Sequence, residues 1–231
     1  MKLKKIASLM LAGVMAVSML AGCNTASNGG NNNDDGQNQT TPTNSKVVDY
    51  ANQTLSSTAK KYMTYESAIW LDTALKDVAT NKSNFSADDI AYVFYTDASD
   101  YSLYDSDWAN AMANKIVDTM SGKEAYTHNK FGDHDFTMVP ANKESKSIVW
   151  VYTVSGVLDE EMAVNAVAGS MNEWMAENYL GQPIDDDNYD CDYTAEISAL
   201  KVTNSNLTVE SAWVIAIAVT QNVTKAANAE V

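Results

Sequence analysis

Seven successive residues, Ile148-Val149-Trp150-Val151-Tyr152-Thr153-Val154, show no alternation of apolar and polar side chains and end well before the acidic triplet Asp159-Glu160-Glu161. A run of this length bounded by polar turns suits a central β-strand covered on both faces. The chain must therefore supply further strands and helices to cover it. The apolar spacing provides them. Val48, Ala51, Leu55, Ala59, Met63, Trp70, Ala74 and Val78 recur at helical intervals, which predicts one long helix or two with a break near Thr64. Tyr62, Tyr65 and Trp70 on that segment could stack a ligand, although aromatic residues at helical spacing also suit a core.

Residues 90–96 are aromatic and β-branched and read as a strand, while Ser86 followed by Asp89 offers a capping box and a short helix as the alternative. A helix follows, capped by Asp105 or Ser106, with Trp108, Met112, Ile116 and Met120 as its stripe and Gly122 as its stop. Residues 136–139 read as a short strand closed by Pro140. After the central strand, Asp159, Glu160 and Glu161 open a helix where negative charge favours the dipole, and Gly181 and Pro183 end it. Residues 194–202 and 212–220 are the last strands, antiparallel across Thr203-Asn204-Ser205-Asn206. The class is α+β: a mainly antiparallel sheet with packed helices. Its order contains a ferredoxin-like βαββαβ unit, with a long N-terminal helix and one extra strand added.

All of this lies in residues 46–231, read as a single globular domain. Between 24 and 45, Asn, Gly, Asp, Gln, Thr and Ser dominate and Ala26 is the only apolar residue, so residues 23–45 read as a flexible tether. Twenty-two such residues reach roughly 25 Å on average and about 75 Å when taut. Before the tether, Lys2, Lys4 and Lys5 precede an apolar run that ends in Leu20-Ala21-Gly22-Cys23. The run is shorter than a membrane-spanning helix needs and carries its lysines on the N-terminal side, as an export signal does.

Leu20-Ala21-Gly22-Cys23 resembles the lipobox of bacterial lipoproteins. That resemblance implies removal of residues 1–22 as a signal peptide, diacylglycerol on the Cys23 sulfur, acylation of the new amino terminus, and a place on the extracytoplasmic face of a bacterial membrane. The lipid bilayer is then one partner, held through Cys23. With Cys23 acylated, Cys191 has no cysteine to pair with in the chain, and the flanking aspartates should raise its thiol pKa.

Charge removes further classes. The chain has 15 cations and 30 carboxylates, and losing the three signal lysines leaves 12 against 30, a net charge of −18. Nucleic acid is a poor partner for such a body. Every cation is lysine, so no arginine fork can clamp phosphate or carboxylate.

Chemistry-bearing patterns are few. Ser57-Thr58-Ala59-Lys60 matches a Ser-x-x-Lys nucleophile box but lacks its companion strings, and an exposed helical face accounts for it equally. His128 and His134, with Asp135, could ligate a divalent metal across the loop that contains Gly132, or be solvated loop residues. Asp185, Asp187 and their neighbours place five aspartates within eight residues, enough oxygen for Ca²⁺. Of the EF-hand pattern only the final ligand, Glu196, survives, and a solvated loop is the alternative. A second acidic run, Asp97, Asp100, Asp105 and Asp107, surrounds Tyr101 and Tyr104, which become candidate ligand-binding residues.

No cofactor other than such a metal is indicated. Two functions remain. The first is a non-catalytic module that binds an envelope protein, peptide or polymer; the second is a small metal-assisted extracytoplasmic hydrolase using His134 and neighbouring aspartates.

Overall fold

The structure, a computed structural model, describes residues 45–97, 105–184 and 188–226. In chain order its elements are α1 (Ser45–Thr54), β1 (Met63–Glu66), α2 (Ile69–Ala79), α3 (Ala87–Tyr95), α4 (Asp107–Thr119), β2 (Ala125–Thr127), α5 (Phe131–His134), β3 (Ser145–Ser155), α6 (Glu160–Asn178), β4 (Tyr189–Thr203) and β5 (Ser211–Lys225). The class is mixed α+β, with helices packed on a mostly antiparallel sheet.

The strands form one sheet in the order β1-β4-β5-β3-β2. The long inner pairs β3 with β5 and β4 with β5 are antiparallel, while the short edge strands β1 and β2 run parallel to β4 and β3. The ferredoxin-like order read from the sequence required residues 90–96 as its first strand. Those residues form α3 instead. The Ser86 hydroxyl accepts from the Asp89 amide and the Asp89 carboxylate from the Ser86 amide, so the capping box nucleates a helix that β-propensity alone opposes. Residues 136–139 form no strand, because side chains rather than a neighbouring strand hold their carbonyls. The ladder at that edge is β2, paired as Ala125 with Ser147 to Thr127 with Val149.

Helices lie on both faces. Val47 and Ala51 of α1, with Leu55 just after it, join Val164, Val167, Met171 and Met175 of α6 on the face that carries Trp150, Ile197, Ile215 and Ile217. On the other face, α2, α3 and α4 contribute Leu71, Val93, Met112 and Ile116 over Val149, Val151, Ala216 and Ala218. β5 explains the asymmetry. Trp213, Ile215, Ile217 and Val219 alternate with Ala212, Val214, Ala216 and Ala218, so one face is bulky and the other admits three helices at close range.

The predicted long first helix is interrupted near Thr64 by a strand. β1 alternates buried and exposed residues and pairs with Tyr193 to Glu196 of β4. Tyr65 is buried, and its hydroxyl donates to Asn172 Oδ1 at 2.8 Å, while Trp70 donates to Glu196 Oε1 at 3.0 Å. Both aromatics are thus structural. Among the described residues no helix is long and apolar enough to cross a membrane.

Candidate functional site

The histidine loop follows β2. His128 Nε2 lies 3.0 Å from Asp105 Oδ1, with the imidazole buried and the carboxylate exposed. His134 takes another direction, its ring stacked on Tyr126 with centroids 3.7 Å apart. Asp135 Oδ1 accepts from the Thr137 amide at 2.9 Å and from the Thr137 hydroxyl. The two histidines and Asp135 are therefore engaged separately. Among the described residues no group of three or more His, Cys, Asp or Glu side chains is placed to hold a metal ion. Cys23, Tyr101, Tyr104, Asp185 and Asp187 lie outside the described residues.

The acidic run read as one loop is divided by the fold. Tyr189 already begins β4, so Asp190 and Asp192 are exposed strand residues on either side of the inward Cys191. Glu196, the twelfth position of the EF-hand comparison, sits farther along the same strand and binds Trp70. An extended strand cannot wrap its ligands around one ion, because successive side chains point to opposite faces. Ser57 and Lys60 are exposed in the turn around a short 3₁₀ helix, where the Ser56 hydroxyl accepts from the Ala59 amide at 3.1 Å.

The loop does assemble a buried polar group at one end of the sheet, built from residues that sequence patterns did not single out. Lys146 is 2% exposed, and its ammonium donates to the carbonyls of Asp135 and of Met138, the latter at 2.7 Å. Gln221 is fully buried and donates through Nε2 to the Phe136 carbonyl at 2.6 Å and to the Tyr193 hydroxyl at 3.1 Å. These contacts seat the Phe136 ring edge-on against Tyr179 and Tyr193.

Burial lowers the Lys146 pKa, against the opposing pull of Asp135 and Glu124. Burial also pushes the Cys191 thiol up to about 11, with Asp190 and Asp192 adding to the rise. A protonated, enclosed thiol is no nucleophile at neutral pH. This group fastens a loop.

The opposite end of the sheet is where apolar side chains meet solvent. Asn204 and Glu210 close the β4–β5 turn: the Asn204 amide nitrogen donates to Glu210 Oε2 at 2.6 Å and to the Ala87 carbonyl of α3 at 3.0 Å. Glu210 also accepts from the Tyr95 hydroxyl, which lifts that phenol's pKa. Ser155 reaches the Phe94 carbonyl at 2.9 Å, and Gly156 donates to the Ser211 carbonyl at 2.9 Å. α3, the end of β3 and the β4–β5 turn are thereby locked together. Tyr95 (73% exposed), Val157 (69%), Leu207 (55%) and Val209 (75%) project from these three segments, with Tyr92 exposed one helical turn away.

No family model, no curated protein and no solved structure matches the chain.

Proposed function

We propose that the protein is a membrane-anchored extracytoplasmic lipoprotein of the bacterial envelope and acts as a non-catalytic binding module. The observation that carries the binding role is the end surface of Tyr95, Val157, Leu207 and Val209. Scattered exposed apolar residues are ordinary, but several on interlocked segments mark an interaction surface. Asn204 and Glu210, both buried, keep that surface rigid, which lowers the ordering cost of binding. The lipobox-like string and the 23–45 tether support the place, within about 75 Å of the bilayer. The mature charge of −18 favours a partner with a basic rim.

Capture of partners by the tethered protein from its own envelope tests the proposal. A protein recovered reproducibly with the native chain and lost with the Leu207→Asp, Val209→Asp double variant is the expected result. Equal recovery with the double variant, or recovery of nothing, overturns it. The metal-assisted hydrolase is addressed by metal analysis of the same preparation, followed by His134→Ala. Bound metal together with an activity lost in His134→Ala would replace the binding reading.

A further inference from the structure

The sheet has one edge that the protein closes and one that it leaves open, side by side. β4 is paired with β5 over its whole length, from Tyr189 with Lys225 to Thr203 with Ser211. On its other side β1 covers only Tyr193 to Glu196. The Tyr193 amide donates toward β1, to the Tyr62 carbonyl at 2.8 Å, whereas Asn204, just past the strand, donates to Glu210 on the β5 side at 2.9 Å. Backbone groups of an antiparallel strand alternate in this way, so those of Ala199, Lys201 and Thr203 face outward. Among the described residues no strand lies against them.

β1 is treated differently. Its outward residue, Tyr65, has both backbone groups taken by one side chain, with the Tyr65 amide 3.0 Å from Asn52 Oδ1 and Asn52 Nδ2 2.9 Å from the Tyr65 carbonyl. An amide in that position imitates a neighbouring strand and blunts the edge.

We propose that residues 197–203 of β4 form a strand-addition site for an extended peptide of alternating apolar and basic residues, lying in the lane that β1 vacates after Glu66. This deepens the binding reading above and rests on it. Outward amides and carbonyls recurring every two residues, about 6.7 Å apart, are matched in spacing by another extended backbone. Leu200 and Val202 are half-buried on the face covered by α2, α3 and α4, so the added strand sets apolar residues beside them. Charge decides the rest. The Lys201 ammonium is folded away from the edge, donating to the Gly156 carbonyl at 2.7 Å and lying 5.4 Å from the Trp213 ring centre. Glu66 lies beside Glu196 on the face of Leu200 and Val202, and the body as a whole carries a net charge of −18, which favours basic over acidic residues in the added strand. A second copy is the poorer occupant. Pairing two β4 edges brings together two bodies of net charge −18, or drives one β4–β5 turn into the place of β1.

The test uses the full-length protein and a blocked hexapeptide of alternating valine and lysine. Without peptide, the amides of Ala199, Lys201 and Thr203 exchange with solvent at least about tenfold faster than those of Leu200 and Val202, and saturating peptide slows the three by about tenfold or more. Ala199→Pro removes an outward N–H and leaves the β5 ladder intact, so affinity falls about tenfold while the fold stays unchanged. Lys201→Pro, on the same edge, serves if Ala199→Pro does not fold. Peptide binding that slows other amides, equal affinity in the proline variants, or slow exchange at the three sites that appears only at high protein concentration would overturn the proposal; the last assigns the edge to a second copy. An envelope partner still captured by Ala199→Pro removes the edge and leaves the module reading standing.

Discussion

At the scale of single residues, buried polar side chains decide where this chain's loops lie. Glu210 is 2% exposed and joins the buried Asn204, so Glu210→Ala leaves an Asn204 amide hydrogen without its partner in the core of the turn. That should cost about 1–3 kcal/mol, read as a lower urea midpoint, while Glu210→Gln loses less. The titratable groups around Phe136 make a second expectation. Cys191, pushed up to about 11, and Tyr179, pushed up to about 12, ionise in the unfolded chain before they do in the folded one. Tyr65 and Tyr193 are raised in the same direction by burial. Below about pH 8 the thiol and phenols are protonated in both states and their contribution is constant. Above it the unfolded chain releases protons first, so stability falls as pH rises, by up to about 1.4 kcal/mol per pH unit for each lagging group. Lys146, with its pKa lowered, has the opposite slope, but it is one group against four. Urea midpoints between pH 8 and 11 measure the balance, and Cys191→Ala should flatten the first part of the decline. Of these residues, Gln221 was partly legible: it keeps the parity of the buried series Trp213 to Val219 along β5. Its partner was not, because the Phe136 carbonyl is 85 residues away.

Among the elements, termini were easier to read than interiors. Ser106 and Asp159 cap α4 and α6, and Gly122 and Gly181 adopt positive φ, all near the ends that residue type suggested. Capping is local chemistry, so local sequence carries it. α3 shows the limit, since its interior favours a strand while its N-terminus favours a helix, and packing of Ile90 and Val93 into the core settles the contest. Ser86→Ala should therefore cost about 1 kcal/mol, measured by thermal or urea unfolding. The strand expected at 136–139 fails for a tertiary reason: its carbonyls are held by Lys146 and Gln221, from strands later in the chain. β5 offers a paired prediction from its alternation of bulk. Ile217→Ala opens a cavity on the face of α1 and α6 and costs about 2–5 kcal/mol. Ala216→Leu overfills the face of α2, α3 and α4 and costs about 1–3 kcal/mol, with the larger shift in structure.

For the whole molecule, anchoring and folding are separable expectations. Cys23→Ala removes the acceptor sulfur that the lipobox resemblance implies, so the variant should leave the membrane fraction while its domain unfolds at an unchanged urea midpoint. Loss of membrane attachment is scored by detergent partition, and retention in the membrane would remove the anchor. The α+β class, the antiparallel pairing of β4 with β5 and the cap positions were determined by sequence alone, because periodicity, turn composition and end chemistry act over a few residues. Strand order, the helices on both sheet faces, the separation of His128 from His134 and the open edge of β4 were decided only by tertiary structure. Each depends on which distant segment arrives beside it, and a side chain's spacing along the chain carries no record of that neighbour. The split is clearest around Thr64, where helical spacing allows one helix or a break between two, and the segment becomes β1 because β4 offers it backbone partners.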